Sequence, residues 1–195
     1  MEEKELEFAE EWLELEKYHF KILTIVTILA DEQRAFRGKL SDLCENIGIQ
    51  NSSANRAKIK NSLTILAEND YIRLIIDKDI YTVSLAQAIE KSKNIIKIKK
   101  AWYKLIRDNK NTASWESTLK VFLVLLELPS SQTFTYDDIG KLVGLKKSTV
   151  KNCVNALKKI DFKDFVFSVD LERVQLSNGE YRSKGQTYNQ ILIFE

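Results

Sequence analysis

Residues 135–150 read Thr-Tyr-Asp-Asp-Ile-Gly-Lys-Leu-Val-Gly-Leu-Lys-Lys-Ser-Thr-Val, and the fold is decided by their pattern. The apolar spacing over residues 136–143 is that of a short helix. Gly144 is placed to end it, because glycine accepts the left-handed backbone that commonly closes a helix. A second helix is predicted over residues 148–160, with Val150, Val154 and Leu157 at the 4,3 spacing of one buried stripe. Asp137 and Asp138 start the short helix, where carboxylates stabilise the positive end of its dipole. Upstream, residues 115–128 form an apolar helix ended by Pro129; downstream, residues 165–171 and 187–194 have the composition of strands. In the first strand Phe167, Val169 and Leu171 alternate with polar residues. The phase then slips at Glu172-Arg173 before Val174 and Leu176, which implies a bulge or a turn.

The same order occurs earlier in the chain. Residues 4–30 carry apolar positions at helical spacing, including Leu6, Ala9, Leu13, Phe20, Leu23, Val26 and Ile28, as one long helix or two abutting ones. A short helix over residues 40–47 closes on Gly48, and a longer one runs over residues 53–69. Two β-branched and aromatic runs, residues 71–76 and 80–85, flank Asp77-Lys78-Asp79 as a tight hairpin. The correspondence extends to residues. Ile59-Lys60-Asn61 with Leu63 and Leu66 matches Val150-Lys151-Asn152 with Val154 and Leu157, and Asp42, Leu43 and Ile47-Gly48-Ile49 match Asp138, Ile139 and Val143-Gly144-Leu145. The first copy has a longer turn, residues 50–54, between its two helices. Two copies so close in plan indicate two similar domains.

Residues 135–150, with Val154 and Leu157, resemble the helix-turn-helix of bacterial DNA-binding domains. With a hairpin after each second helix, both copies resemble winged helix-turn-helix domains, and the likeness covers most of the chain. Tandem winged-helix proteins of this kind include replication initiators of phages and plasmids and some transcriptional repressors. The resemblance implies a mainly α fold with small β-hairpin wings (α+β), in which the second helix of each copy enters a major groove of double-stranded DNA. The expected divisions are an acidic N-terminal helix (1–16), a first winged-helix domain (17–88), a basic connecting helix (89–112) and a second winged-helix domain (113–195).

Placing Ile59, Leu63 and Leu66 inward turns Ala54, Ala57, Lys58 and Asn61 outward, with Lys60 and Thr64 at the flanks and Arg56 nearer the core. In the second copy Ser148, Thr149, Asn152 and Asn155 turn outward, with Lys151 at the flank and Lys146 and Lys147 in the turn. Asn61 and Asn152 thus share one outward position, each beside a lysine. Asparagine matches an adenine edge through two atoms and lysine suits a phosphate, although a solvated helix face also carries such residues. The first wing has one lysine between two aspartates, a poor phosphate contact. The loop expected after the second wing's first strand carries Asn178-Gly179, Arg182, Lys184 and Gly185, either a basic tip for DNA or an ordinary solvated loop.

The 195 residues are 44% hydrophobic with a net charge of only +2, so the chain is not a polycation that coats nucleic acid without selectivity. The charges are segregated. Residues 2–16 hold eight acidic residues against Lys4, whereas residues 91–110 hold eight basic residues against Asp108. This asymmetry predicts one surface that repels phosphate and another that attracts it. Leu6, Ala9, Trp12 and Leu13 are expected as a stripe docked on a domain or on a second copy, which makes a homodimer an open expectation. Ile95, Ile98, Trp102, Leu105 and Ile106 are expected on one face of the connecting helix.

Cys44, Cys153 and His19 lack metal-ligand spacing, so no metal and no cofactor are expected. With one histidine, no phosphate-cradling glycine loop and no nucleophile-base signature, an enzyme is not expected. The longest apolar run, residues 121–126, is too short to span a bilayer, and a cytoplasmic protein without membrane contact is expected. The rival reading is a winged-helix protein-interaction module in a replication or chromosome-segregation assembly. The near-neutral charge and weakly basic first wing favour it; the outward Lys-Asn pairs and the basic connecting helix favour DNA.

Overall fold

Leu6 and Phe8 are apolar while Glu5 and Glu7 are charged, and a period of two suits a strand rather than a helix. In the computed structural model, which describes residues 5–109, 114–129, 132–163, 165–175 and 181–192, this segment is strand β1 (Glu5–Ala9) followed by a 3-10 turn over Glu10–Glu14. The helix expected over residues 1–16 is therefore corrected, and the first α-helix, α1 (Lys17–Leu29), begins only after it. The spacing of Leu6, Ala9 and Leu13 satisfies a helical template by coincidence, because strand and turn each place their own apolar residues inward.

The chain then forms β2 (Ala35–Gly38), α2 (Leu40–Ile47), α3 (Ser53–Glu68), β3 (Arg73–Asp77) and β4 (Ile80–Ser84). The three strands make an antiparallel sheet in the order β2-β4-β3. Asp77 pairs with Ile80 across a two-residue turn whose first residue, Lys78, has φ 54°, the left-handed backbone such hairpins require. Helix α4 (Ala86–Lys91) leads to β5 (Ile95–Lys99), which pairs antiparallel with β1 from Glu5 opposite Lys99 to Ala9 opposite Ile95.

The connecting helix expected over residues 89–112 is thus corrected to a helix end, a strand and a new helix, α5 (Lys100–Asp108). Ile96 and Ile98 are buried and Lys97 is exposed between them, a strand alternation that the surrounding lysines obscure. The pairing also changes the meaning of the segregated charge. Glu7 accepts Arg34 at 2.7 Å and Lys97 at 3.2 Å, so the acidic and basic segments meet and partly neutralise one another.

The chain divides into two compact units between Lys100 and Ala101. In the first, Leu6, Phe8, Ala9, Trp12 and Leu13 are buried with Phe20, Ile22, Leu23 and Leu63. Phe8 packs against the Trp12 ring at 6.2 Å, and His19 Nδ1 lies 2.6 Å from Ser62 Oγ, tying α1 to α3. The stripe of Leu6, Ala9, Trp12 and Leu13 is therefore docked within its own unit.

The second unit continues with α6 (Trp115–Glu127), α7 (Tyr136–Val143), α8 (Lys147–Leu157), β6 (Phe165–Gln175) and β7 (Tyr181–Leu192). Phe122 of α6 stacks on Phe162 at 5.2 Å, and Trp102 packs edge-on against both. The β6-β7 ladder runs antiparallel from Phe165 opposite Leu192 to Gln175 opposite Tyr181, with its register shift between Glu172 and Arg173. The architecture is mixed α+β, helices with small antiparallel sheets. No helix among the described residues is long and apolar enough to cross a membrane.

Candidate nucleic-acid interface

The turns α2-α3 and α7-α8 are built on one local device. Gly48 and Gly144 close the short helices with φ 79° and 66°, the left-handed region in which a side chain is strained. The residue after each glycine then donates its backbone N–H to a carbonyl within the short helix: Ile49 to Cys44 O at 3.0 Å and Leu145 to Gly140 O at 2.8 Å. Gly140 is required there for a second reason. A Cβ on it would lie 2.4 Å from Leu145 O, a backbone atom that cannot move aside cheaply.

The start of α7 is fixed as firmly as its end. Thr135 Oγ1 accepts the Asp138 backbone N–H at 3.2 Å, and Asp138 Oδ2 accepts the Thr135 N–H at 2.8 Å and its hydroxyl at 2.6 Å, a reciprocal capping box. The Thr135 hydroxyl and backbone bonds hold the Asp138 carboxyl below its ordinary range. Asp138 is thus a structural cap, while Asp137 is exposed with its carboxylate 3.5 Å from Lys147 Nζ. Beneath α7, the buried Lys120 of α6 donates to Val143 O at 3.4 Å, and burial pushes its ammonium down to about 8.

The first turn is longer, residues 48–52 against 144–146, yet it is internally bonded. Ser52 Oγ caps α3 by accepting the Asn55 N–H at 3.2 Å. Asn55 Nδ2 donates to Gln50 O at 2.8 Å, and Arg56 Nη1 donates to Asn51 Oδ1 at 2.7 Å. Arg56 is half-buried against this turn, as its position nearer the core predicts.

On α3, Ile59, Leu63 and Leu66 are buried, and Ala54, Ala57, Lys58, Lys60 and Asn61 are exposed. On α8, Val150, Val154 and Leu157 are buried, and Lys147, Ser148, Lys151, Asn152 and Asn155 are exposed beside Lys146 of the turn. Thr149 is half-buried and contributes least to this face. From Lys146 to Lys159 no acidic residue occurs. The structure adds Lys141, which lines an open concavity with Asp137, Gly140, Gly144, Leu145, Lys146 and Lys147 at the start of α8. Its sequence signal is weak, because a lysine at the end of a short helix is equally a partner for the helix dipole.

The hairpin after α8 differs from the expected wing. Arg182, Lys184 and Gly185, expected in a loop, belong to β7. Gly185 pairs with Glu172 and Ser183 with Arg173, which leaves Lys184 as the extra residue of the bulge. The phase slip at Glu172-Arg173 is therefore real, but the inserted residue lies on the opposite strand. Turn residues such as Gly185 disguise a strand that must bend. Asn178-Gly179 and Leu176 lie outside the described residues.

No group of three or more potential metal ligands occurs among the described residues. No protein-family model matches the chain, and no curated protein matches it significantly.

Proposed function

We propose that this chain binds double-stranded DNA sequence-specifically through two tandem winged helix-turn-helix domains, and that it acts in replication initiation or transcription regulation. The observation that carries the reading is the exposed face of α8. Lys146, Lys147, Ser148, Lys151, Asn152 and Asn155 stand out from a helix whose opposite stripe is buried, with no carboxylate in the sequence from Lys146 to Lys159; Asp137 of α7 lies 3.5 Å from Lys147, which leaves Lys146 and Lys151 as the face's unbridged lysines among the described residues. Such a face meets phosphates with its lysines and base edges with its asparagines.

In support, the β3-β4 hairpin that follows α3 and pairs with β2 in the order β2-β4-β3 suits a wing, and Lys58, Lys60 and Asn61 repeat the arrangement on α3. The two copies contribute unequally. At the first wing tip Asp79 is bridged to Lys39 at 2.7 Å beside Asp77, so that tip offers little to phosphate. The second copy has the denser basic face, and Arg182 and Lys184 fall near the end of its hairpin. Two recognition helices in one chain suit two unequal half-sites, roughly 34 Å apart along the DNA if one helical turn separates them.

Selection of bound duplexes from a random pool tests this reading. A common site is expected to enrich, and Asn152→Ala and Asn61→Ala are expected to relax it at distinct positions by about 1–3 kcal/mol each. Failure to enrich any site, with binding unchanged in both variants, contradicts sequence-specific recognition.

A further inference from the structure

The first unit carries an uncovered sheet edge with an unusual sequence. β3 stands at the end of the order β2-β4-β3, so one side of its backbone has no strand partner among the described residues. Natural edge strands are normally shielded by proline, by charged side chains along the edge or by being very short, whereas β3 carries charge only at its two ends. β3 reads Arg73-Leu-Ile-Ile-Asp77, with Ile75 50% and Ile76 44% exposed. These are two of the three large apolar side chains that stand exposed among the described residues. The other edge, β2, has its Phe36 buried and presents Arg37 instead.

The two charges of β3 are placed symmetrically about Ile75. Arg73 and Asp77 are both exposed, and neither has an ion-pair partner among the described residues. We propose that two copies of this chain associate by antiparallel pairing of their β3 strands about a two-fold axis through Ile75, setting Arg73 of each copy beside Asp77 of the other.

The geometry of the sheet supports this register. Leu74 pairs with the buried Val83 and Ile76 with the buried Tyr81, so these two residues face the core side. Arg73, Ile75 and Asp77 occupy the opposite face. Pairing about Ile75 puts Leu74 opposite Ile76 of the second copy and so extends the apolar side of the sheet across the joint. On the other face, Ile75 meets its own copy between two Arg-Asp pairs. Residues 74 and 76 share one phase of the ladder, so the outward backbone groups of the two copies find one another. Moving the axis to Ile76 would set Ile75 opposite Asp77 and Arg73 opposite Asp79, which Lys39 already holds. The charges therefore select the strand partner and fix its register. An edge of five residues makes a small interface, so association belongs to the weak, concentration-dependent class.

Sedimentation equilibrium of the full chain without DNA, at roughly 10–300 µM, reads this directly and independently of the DNA-binding proposal. A monomer–dimer equilibrium is expected. Arg73→Asp alone and Asp77→Arg alone each place like charges opposite one another and should weaken the dimer about tenfold. An equimolar mixture of the two variants restores opposite charges at both positions and should recover the wild-type constant to within about threefold. Ile75→Lys, at an exposed site that leaves the fold intact by circular dichroism, should abolish the dimer. A wild-type chain that stays monomeric overturns the proposal. So does a dimer indifferent to these substitutions, or a mixture no tighter than the single variants.

Discussion

Gly140 shows how a single hydrogen atom in place of a side chain fixes the angle between two helices. In mid-helix an alanine would normally stabilise by about 1 kcal/mol relative to glycine. Here its Cβ would meet Leu145 O at 2.4 Å, so the turn must shift and the sign reverses. Gly140→Ala is expected to destabilise the second unit by roughly 1–3 kcal/mol in denaturant melts, and a stabilised variant would contradict the close approach. Cys44 stands at the matching place in the first copy, where it is buried and its thiol is pushed up by that burial. A longer turn accompanies it. Lys120 gives a second residue-level expectation. Its folded ammonium titrates at about 8 rather than the ordinary 10.5, so between those values this side chain holds its proton in the unfolded chain and not in the folded one. Lys120 should therefore contribute stability to the second unit that grows as pH climbs from about 8 towards 10.5, against the opposite contribution of the buried Tyr103, whose phenol is pushed up by desolvation, and Lys120→Met should remove the Lys120 contribution. An unchanged pH profile in Lys120→Met would assign the effect elsewhere.

At the scale of elements, legibility in the sequence followed how local each signal was. The ranges of α2 and α7, and their glycine ends, were readable because cap, stripe and stop lie within a dozen residues. The outward faces of α3 and α8 followed from the apolar stripe alone. β1 and β5 were not readable as strands, because their pairing joins segments some ninety residues apart, Glu5 with Lys99, and no local signal announces a distant partner. The charge contrast between those segments was visible, but it marked mutual attraction rather than two opposed surfaces. β1 is expected to be integral to the first unit. Phe8 is fully buried against Trp12 and Phe20, and Phe8→Ala should cost roughly 3–5 kcal/mol in equilibrium unfolding of that unit. A destabilisation below about 1 kcal/mol would mean that the N-terminal strand is an appendage.

Across the whole molecule, two units that share the order short helix, turn, longer helix, hairpin differ in surface. The first spends its exposed residues on an apolar sheet edge and an acidic wing tip, the second on a lysine- and asparagine-rich helix. On the function proposed above, the second unit would supply most of the DNA contact and the first a weaker contact together with self-association. The repeated order of short helix, glycine turn and longer helix was legible in the sequence; the sheet edge was not, because exposure of Ile75 and Ile76 depends on which strand lies at the end of the sheet.

In the proposed complex the lysines of α8 meet phosphate, and the salt dependence of duplex binding measures that interaction most directly. The logarithm of the association constant should fall steeply with the logarithm of salt concentration. Replacing Lys146, Lys147 and Lys151 together by alanine should make that slope shallower by about 0.9 for each phosphate that is no longer neutralised. An identical slope and affinity in the triple variant would contradict DNA binding through α8.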